Sequence, residues 1–294
     1  MCDFILSCCS PVDLTSEYLT KRKVVYLPFK FMIGGKEFSD DFGKSISYGE
    51  FYQAMRDGAD TKTTQNNVTD YIDYFNGLLT SGKQILHITL SSGLSGTYNS
   101  AVIAAKEINE KCGKEMVYVV DSLAASGGYG LLVDKLCDLR DEGKSILEVR
   151  EWAEKNKTNL HLWFFTTDLT YFVRGGRVSK VSGFMGTLLK ICPLLNVDLN
   201  GKLIPRHKVR GKKNVIKAIV DKMDLHAENG LDYSDKCFIT HSEAEQDALE
   251  VKALVEDRFP NIKGGVSITS IGTTIGCHTG PGTVALFFWG NGRI

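Results

Sequence analysis

Four hydroxyl side chains and two glycines fall within Ser91-Ser92-Gly93-Leu94-Ser95-Gly96-Thr97, directly after the apolar stretch 84–90. The pattern predicts a strand, a tight turn and then a helix beginning near Thr97. A helix N-terminus carries unpaired N–H groups and the positive end of the helix dipole, so an oxyanion placed there meets backbone and hydroxyl donors together. N-capping by Ser95 accounts for one of the hydroxyls. Ser91, Ser92, Ser95 and the backbone of Gly96 are therefore candidate ligands for an anionic group.

A second loop, Asp60-Thr61-Lys62-Thr63-Thr64-Gln65-Asn66-Asn67, has the same polar, hydroxyl-rich character and makes Thr63 a candidate. His278 and Thr279 stand in the glycine-rich stretch 275–283, read as a loop between two strands where the backbone is free to approach a ligand. Arg177 and Arg210 lie beside glycines, in Arg174-Gly175-Gly176-Arg177 and Val209-Arg210-Gly211, a setting suited to bidentate capture of a phosphate or carboxylate. Gly127-Gly128-Tyr129-Gly130 has the wrong spacing for a dinucleotide fingerprint. Gly93-Leu94-Ser95-Gly96-Thr97 half matches a nucleophile elbow, with Asp121 or Asp168 and then His278 following in hydrolase order, although Thr97 replaces the final glycine.

The elements that must position these residues alternate between strand and helix. Strands are expected at 4–9, 24–33, 84–90 and 116–120. Helices are expected from Asp13 to 22, from the Ser47/Glu50 capping box to 55, from 68 to 79, and from 97 to Gly113. Helices 131–142 and 145–157 follow, with a domain boundary at 158. This rhythm implies a parallel sheet with ligands at the carboxyl ends of its strands. Residues 159–294 read as a second domain: strands 162–166, 236–241, 266–271 and 284–289, helices 213–223 and 243–259, a glycine-punctuated amphipathic segment up to 190, and a hairpin turning at Asn200-Gly201. The fold class is α/β, with an N-terminal parallel-sheet domain and a C-terminal mixed-sheet domain.

Composition narrows the partners. Lys plus Arg equals Asp plus Glu at 35 each over 294 residues, so no global field draws in nucleic acid or an anionic membrane. The eight cysteines include no C-x-x-C pair, which argues against a metal knuckle and for reduced thiols in a cytoplasmic protein. No signal peptide and no membrane-spanning run is expected.

Taken together, the motifs 91–98, Asp121-Ser122 with its following glycines, Gly175-Gly176-Arg177, Val209-Arg210-Gly211 and His278-Thr279-Gly280-Pro281-Gly282 resemble the DegV family over nearly the whole chain. Cys8-Cys9-Ser10 departs from the Asp-Ser pair usual there, and Thr63-Thr64-Gln65-Asn66 from the usual Thr-Ser-Gln-Pro. The resemblance implies a two-domain α/β carrier of one long-chain fatty acid such as palmitate, stearate or oleate, with no catalytic residue, metal or cofactor of its own. It implies a separate fatty acid kinase that phosphorylates the bound carboxyl group. Thr63, Ser95 and His278 would hold the carboxylate, and Arg177 and Arg210 would belong to the surface used by the kinase. An acyl tail of about fourteen methylenes, at about 0.8 kcal/mol each, offers roughly 11 kcal/mol before ordering costs. The competing expectation is a serine hydrolase of acyl esters using Ser95 and His278.

Overall fold

The computed structural model describes residues 4–179 and 191–294, so most of the expected amphipathic segment up to 190 lies outside the described residues. Strands β1 (Phe4–Cys9), β2 (Val24–Leu27), β6 (Gln84–Thr89) and β7 (Val117–Asp121) form a parallel sheet in the order β2-β1-β6-β7. Both faces of such a sheet are covered, which is why β1 and β6 read as near-continuous buried runs. Helices α3 (Val68–Leu79), α4 (Thr97–Cys112), α5 (Ser126–Asp141) and α6 (Ile146–Asn156) belong to this half. Helix α4 ends at Gly113 in the left-handed conformation, as its sequence predicts.

A second sheet of six strands has the order β10-β9-β8-β13-β11-β12. Its members are β8 (Leu160–Thr166), β9 (Ile191–Val197), β10 (Leu203–Arg210), β11 (Cys237–Ser242), β12 (Val266–Ser270) and β13 (Thr283–Trp289). Among the described residues only the β11/β12 pair of this sheet is parallel, so the sheet is mixed. Helices α8 (Lys212–His226) and α9 (Glu245–Arg258) pack on it. Hydrophobic core is continuous between the halves, because α5 lies across β8, β11 and β13.

Several elements differ from their expected form. The run 24–33 is two strands: Pro28 lacks an N–H for a ladder, and β3 (Lys30–Ile33) leaves the parallel sheet to pair with β4 (Lys36–Ser39) and β5 (Thr61–Thr64). The supposed loop holding Thr63 is therefore a strand of a small antiparallel sheet. Asp13 does not cap α1 (Ser16–Lys21); Thr15 does, and Asp13 is buried with φ 47°.

Helix α5 starts at Ser126, five residues before the expected position. Side chains on Gly127, Gly128 and Gly130 would stand 2.6, 2.4 and 2.6 Å from Thr240, Leu162 and the Val12 carbonyl. These glycines serve close packing rather than a turn, so tertiary contact overrides their poor helix propensity. The same holds at α10 (Thr273–Thr279), which replaces the expected loop around His278: a Cβ on Gly276 would lie 2.7 Å from Phe51 and Tyr52 of α2 (Tyr48–Arg56). Among the described residues no helix is long and apolar enough to cross a membrane.

Candidate functional site

Between the two large sheets lies a cavity of about 180 Å³. One wall is a single face of the six-stranded sheet, because alternate residues of a strand point the same way. Thr283, Ala285 and Phe287 of β13 line it beside Leu162 and Phe164 of β8, in the register Ala285 to Phe164 and Phe287 to Leu162. Opposite stand Phe29, Leu90, Leu94 and Ala125, at the carboxyl ends of the parallel strands or just beyond them. Phe172 of α7 (Thr170–Arg174) stacks on Phe164 with ring centroids 5.5 Å apart and closes one side.

The polar end is built from four separate parts of the chain. Thr63 on β5 and His278 in the last turn of α10 are joined by a 2.8 Å hydrogen bond between Oγ1 and Nε2. Ser95, Gln65, Thr279 and Arg177 line the same space. Burial, and then the neighbouring Arg177 charge, push the His278 imidazole down to about 3, so the ring is neutral at physiological pH. Burial also lowers the Arg177 guanidinium, which donates to the Gly175 carbonyl at 2.5 Å. Among the described residues, His278 Nδ1 and Thr283 Oγ1 are buried without a hydrogen-bond partner. Buried polar atoms ordinarily find partners; His278 Nδ1 instead lies against Gly175, where a Cβ would stand 2.3 Å away, and Thr283 lines the cavity.

The loop 91–97 divides its work. Ser95 Oγ faces the cavity and donates to Gln65 Oε1 at 3.3 Å. Gly96 contributes its N–H, which donates to that same oxygen at 2.9 Å. Ser91 and Ser92 stand outside the lining, contrary to expectation. The buried Ser91 hydroxyl donates to the Gly201 carbonyl of the β9/β10 turn at 2.8 Å, and Ser92 is exposed with its N–H on Asp121. Ser91 therefore ties the loop to the second half of the protein instead of meeting a ligand.

The two arginines also separate. Arg177, assigned with Arg210 to the surface used by the kinase, lines the cavity beside His278, whereas Arg210 is exposed at the end of β10 and outside the lining. The hydrolase constellation is not assembled. Asp121 Oδ1 accepts from the backbone of Ser92 and Leu123, and Asp168 Oδ1 accepts from Thr170 N. Neither is hydrogen-bonded to His278, and a triad needs an acid to orient its base.

Sequence reading missed Gln65 as part of the site. The available signal was its spacing of two from Thr63, which puts both on one face of an extended chain. Phe29, Phe172 and Leu203 were missed because a wall assembled from separate strands leaves no local motif.

The family model described as "Uncharacterised protein, DegV family" matches residues 10–291. A DegV domain-containing protein of Clostridium perfringens is 33% identical over 288 residues, covering 98% of each chain. A protein of Thermotoga maritima named "Fatty acid-binding protein" is 36% identical over 279 residues, 94% of this chain and 93% of that one. The solved structure of a DegV lipid binding protein, also from Thermotoga maritima, superposes with a TM-score of 0.85 at 29% identity, covering 99% of this chain and all of the other. The family model, the sequence relatives and the superposed fold agree, and the chain belongs to the DegV family.

Proposed function

We propose that the cavity holds one long-chain fatty acid, tail along the sheet face of Leu162, Phe164, Ala285 and Phe287 and carboxylate at Thr63, Ser95, His278 and Thr279, with Ser95 and Thr279 turning their hydroxyl hydrogens to it from the long 3.3 Å bonds they make to Gln65 Oε1 and the Gly280 carbonyl. Arg177 supplies the compensating charge. The observation that carries this reading is the combination, in one cavity, of an apolar wall with the hydrogen-bonded Thr63/His278 pair at its polar end. Hydrocarbon transfer supplies affinity, and desolvating a carboxylate costs several kcal/mol unless donors receive it. A neutral His278 with Nδ1 unpartnered carries its proton on Nε2, since a buried N–H without an acceptor is the costlier orphan. It then donates to Thr63 Oγ1 and leaves the threonine hydrogen for the ligand. The relative named for fatty acid binding supports the ligand class.

The chain is a carrier in this reading and presents the carboxyl group to a separate fatty acid kinase, which forms the acyl phosphate. The exposed Arg210 is the contact proposed for that kinase. Native mass spectrometry of the purified chain, before and after adding palmitate or oleate, tests the carrier. A bound fatty acid of one equivalent is expected. Absence of both co-purified lipid and uptake rejects the proposal.

A further inference from the structure

Gln65 sits at the mouth of the cavity with its amide already half used. A backbone N–H only donates, so the atom facing Gly96 N at 2.9 Å is the amide oxygen, which also accepts from Ser95 Oγ at 3.3 Å. The amide orientation is thereby set by chemistry, and Nε2 lies on the other branch of the fork. Among the described residues Nε2 makes no hydrogen bond, while the side chain lines the cavity.

Gly96 gives a second, separate reason to see a built feature. Its φ is −72°, a value any residue adopts, so the glycine is not needed for its backbone. A Cβ there would instead stand 2.9 Å from Gln65 Oε1 and 3.0 Å from Nε2. The amide plane therefore lies flat on the bare Cα of residue 96, and the glycine is the seat that holds it.

We propose that Gln65 determines head-group specificity: locked by Gly96 N and Ser95 Oγ, it offers an N–H donor at the mouth that selects an anionic carboxylate over an uncharged lipid head. This rests on the fatty-acid reading above and adds to it the residue that discriminates between heads.

The test compares oleate with oleyl alcohol, which share a tail and differ in charge at the head. In Gln65→Glu the new carboxylate still accepts from Gly96 N and Ser95 Oγ, but a negative oxygen replaces the donor. Its oleate affinity is expected to fall by about 30-fold or more, with oleyl alcohol changed less than about 3-fold. Gly96→Ala, which unseats the amide without touching its chemistry, is expected to lower the same oleate-to-alcohol ratio by about 3- to 10-fold. Adding Gln65→Ala to Gly96→Ala should bring no loss beyond that of Gln65→Ala alone. Equal losses for both lipids make Gln65 merely structural and overturn the proposal, as does an unchanged ratio in both variants. A wild-type chain that binds neither lipid overturns the carrier reading itself, which separates that failure from this one.

Discussion

Thr63 Oγ1 and His278 Nε2 stand 2.8 Å apart although 215 residues separate them. The bond joins the edge of the small antiparallel sheet to the final turn of α10, so the polar end of the cavity exists only when both elements are in place. Thr63→Val and His278→Asn are each expected to weaken oleate binding by about 10-fold or more, the value of about 1.5 kcal/mol or more for the Thr63 hydrogen bond to a charged group that both changes disturb. Because the two act as one unit, the double variant should lose little more than the worse single one. Titration calorimetry reads this directly, and fully additive losses contradict the arrangement.

A pair of buried carboxylates sets the pH response. Asp13 accepts from Ser126 Oγ and Gly272 N, while Asp40 accepts from Ser10 Oγ and Thr273 Oγ1. Burial, with Asp40 adding to it, pushes the Asp13 carboxyl up from 3.8 to about 7. The fold thus favours the protonated acid, so the contribution is complete below the unfolded value and is lost as pH rises from about 4 to 7. Between pH 4.5 and 7.5 this removes about 3 kcal/mol of stability. In Asp13→Asn that part of the pH slope should vanish, because the amide oxygen still receives Gly272 N and Ser126 is free to turn its hydrogen toward Thr240 Oγ1 at 3.0 Å. Urea unfolding at the two pH values gives the comparison, and an unchanged slope counts against the buried acid.

Near the C-terminus, Arg293 is 5% exposed and reaches four backbone carbonyls, those of Leu160, Leu123, Asp198 and Lys157. Leu123 precedes α5, Leu160 begins β8 and Asp198 stands in the β9/β10 turn, so one guanidinium stitches the two halves together. Arg293→Met keeps the stem but leaves the carbonyls unpaired, at a cost of about 3 kcal/mol. A fall in melting temperature of about 6–12 °C is expected by scanning calorimetry. A change under about 2 °C shows that water replaces the guanidinium without loss.

The α/β rhythm, the parallel sheet and the Asn200-Gly201 hairpin were legible because period and turn chemistry are local. Thr63, Ser95 and His278 were legible as unusual polar residues, and all three line the cavity. Two kinds of information were not. Glycine reads as a turn from sequence, yet Gly127, Gly128, Gly130 and Gly276 sit inside helices where another chain segment leaves no room for a side chain. A hydroxyl reads as a ligand donor, yet Ser91 spends its hydrogen on Gly201. In both cases the deciding partner is remote in sequence, and the same is true of Arg177, whose place beside His278 follows from the packing of α7 against α10.

Phe29 is the single residue between Pro28, where the parallel sheet has ended, and Lys30, where the small sheet begins. Its N–H donates to Ser10 Oγ at 3.0 Å, its carbonyl accepts from Asp40 N at 2.8 Å, and its ring borders the cavity. A pivot pinned on both sides and carrying part of the wall allows no swing of the small sheet that leaves the interior undisturbed. Thr63 rides on that sheet, so displacing the gatepost and reshaping the room behind it are one mechanical event.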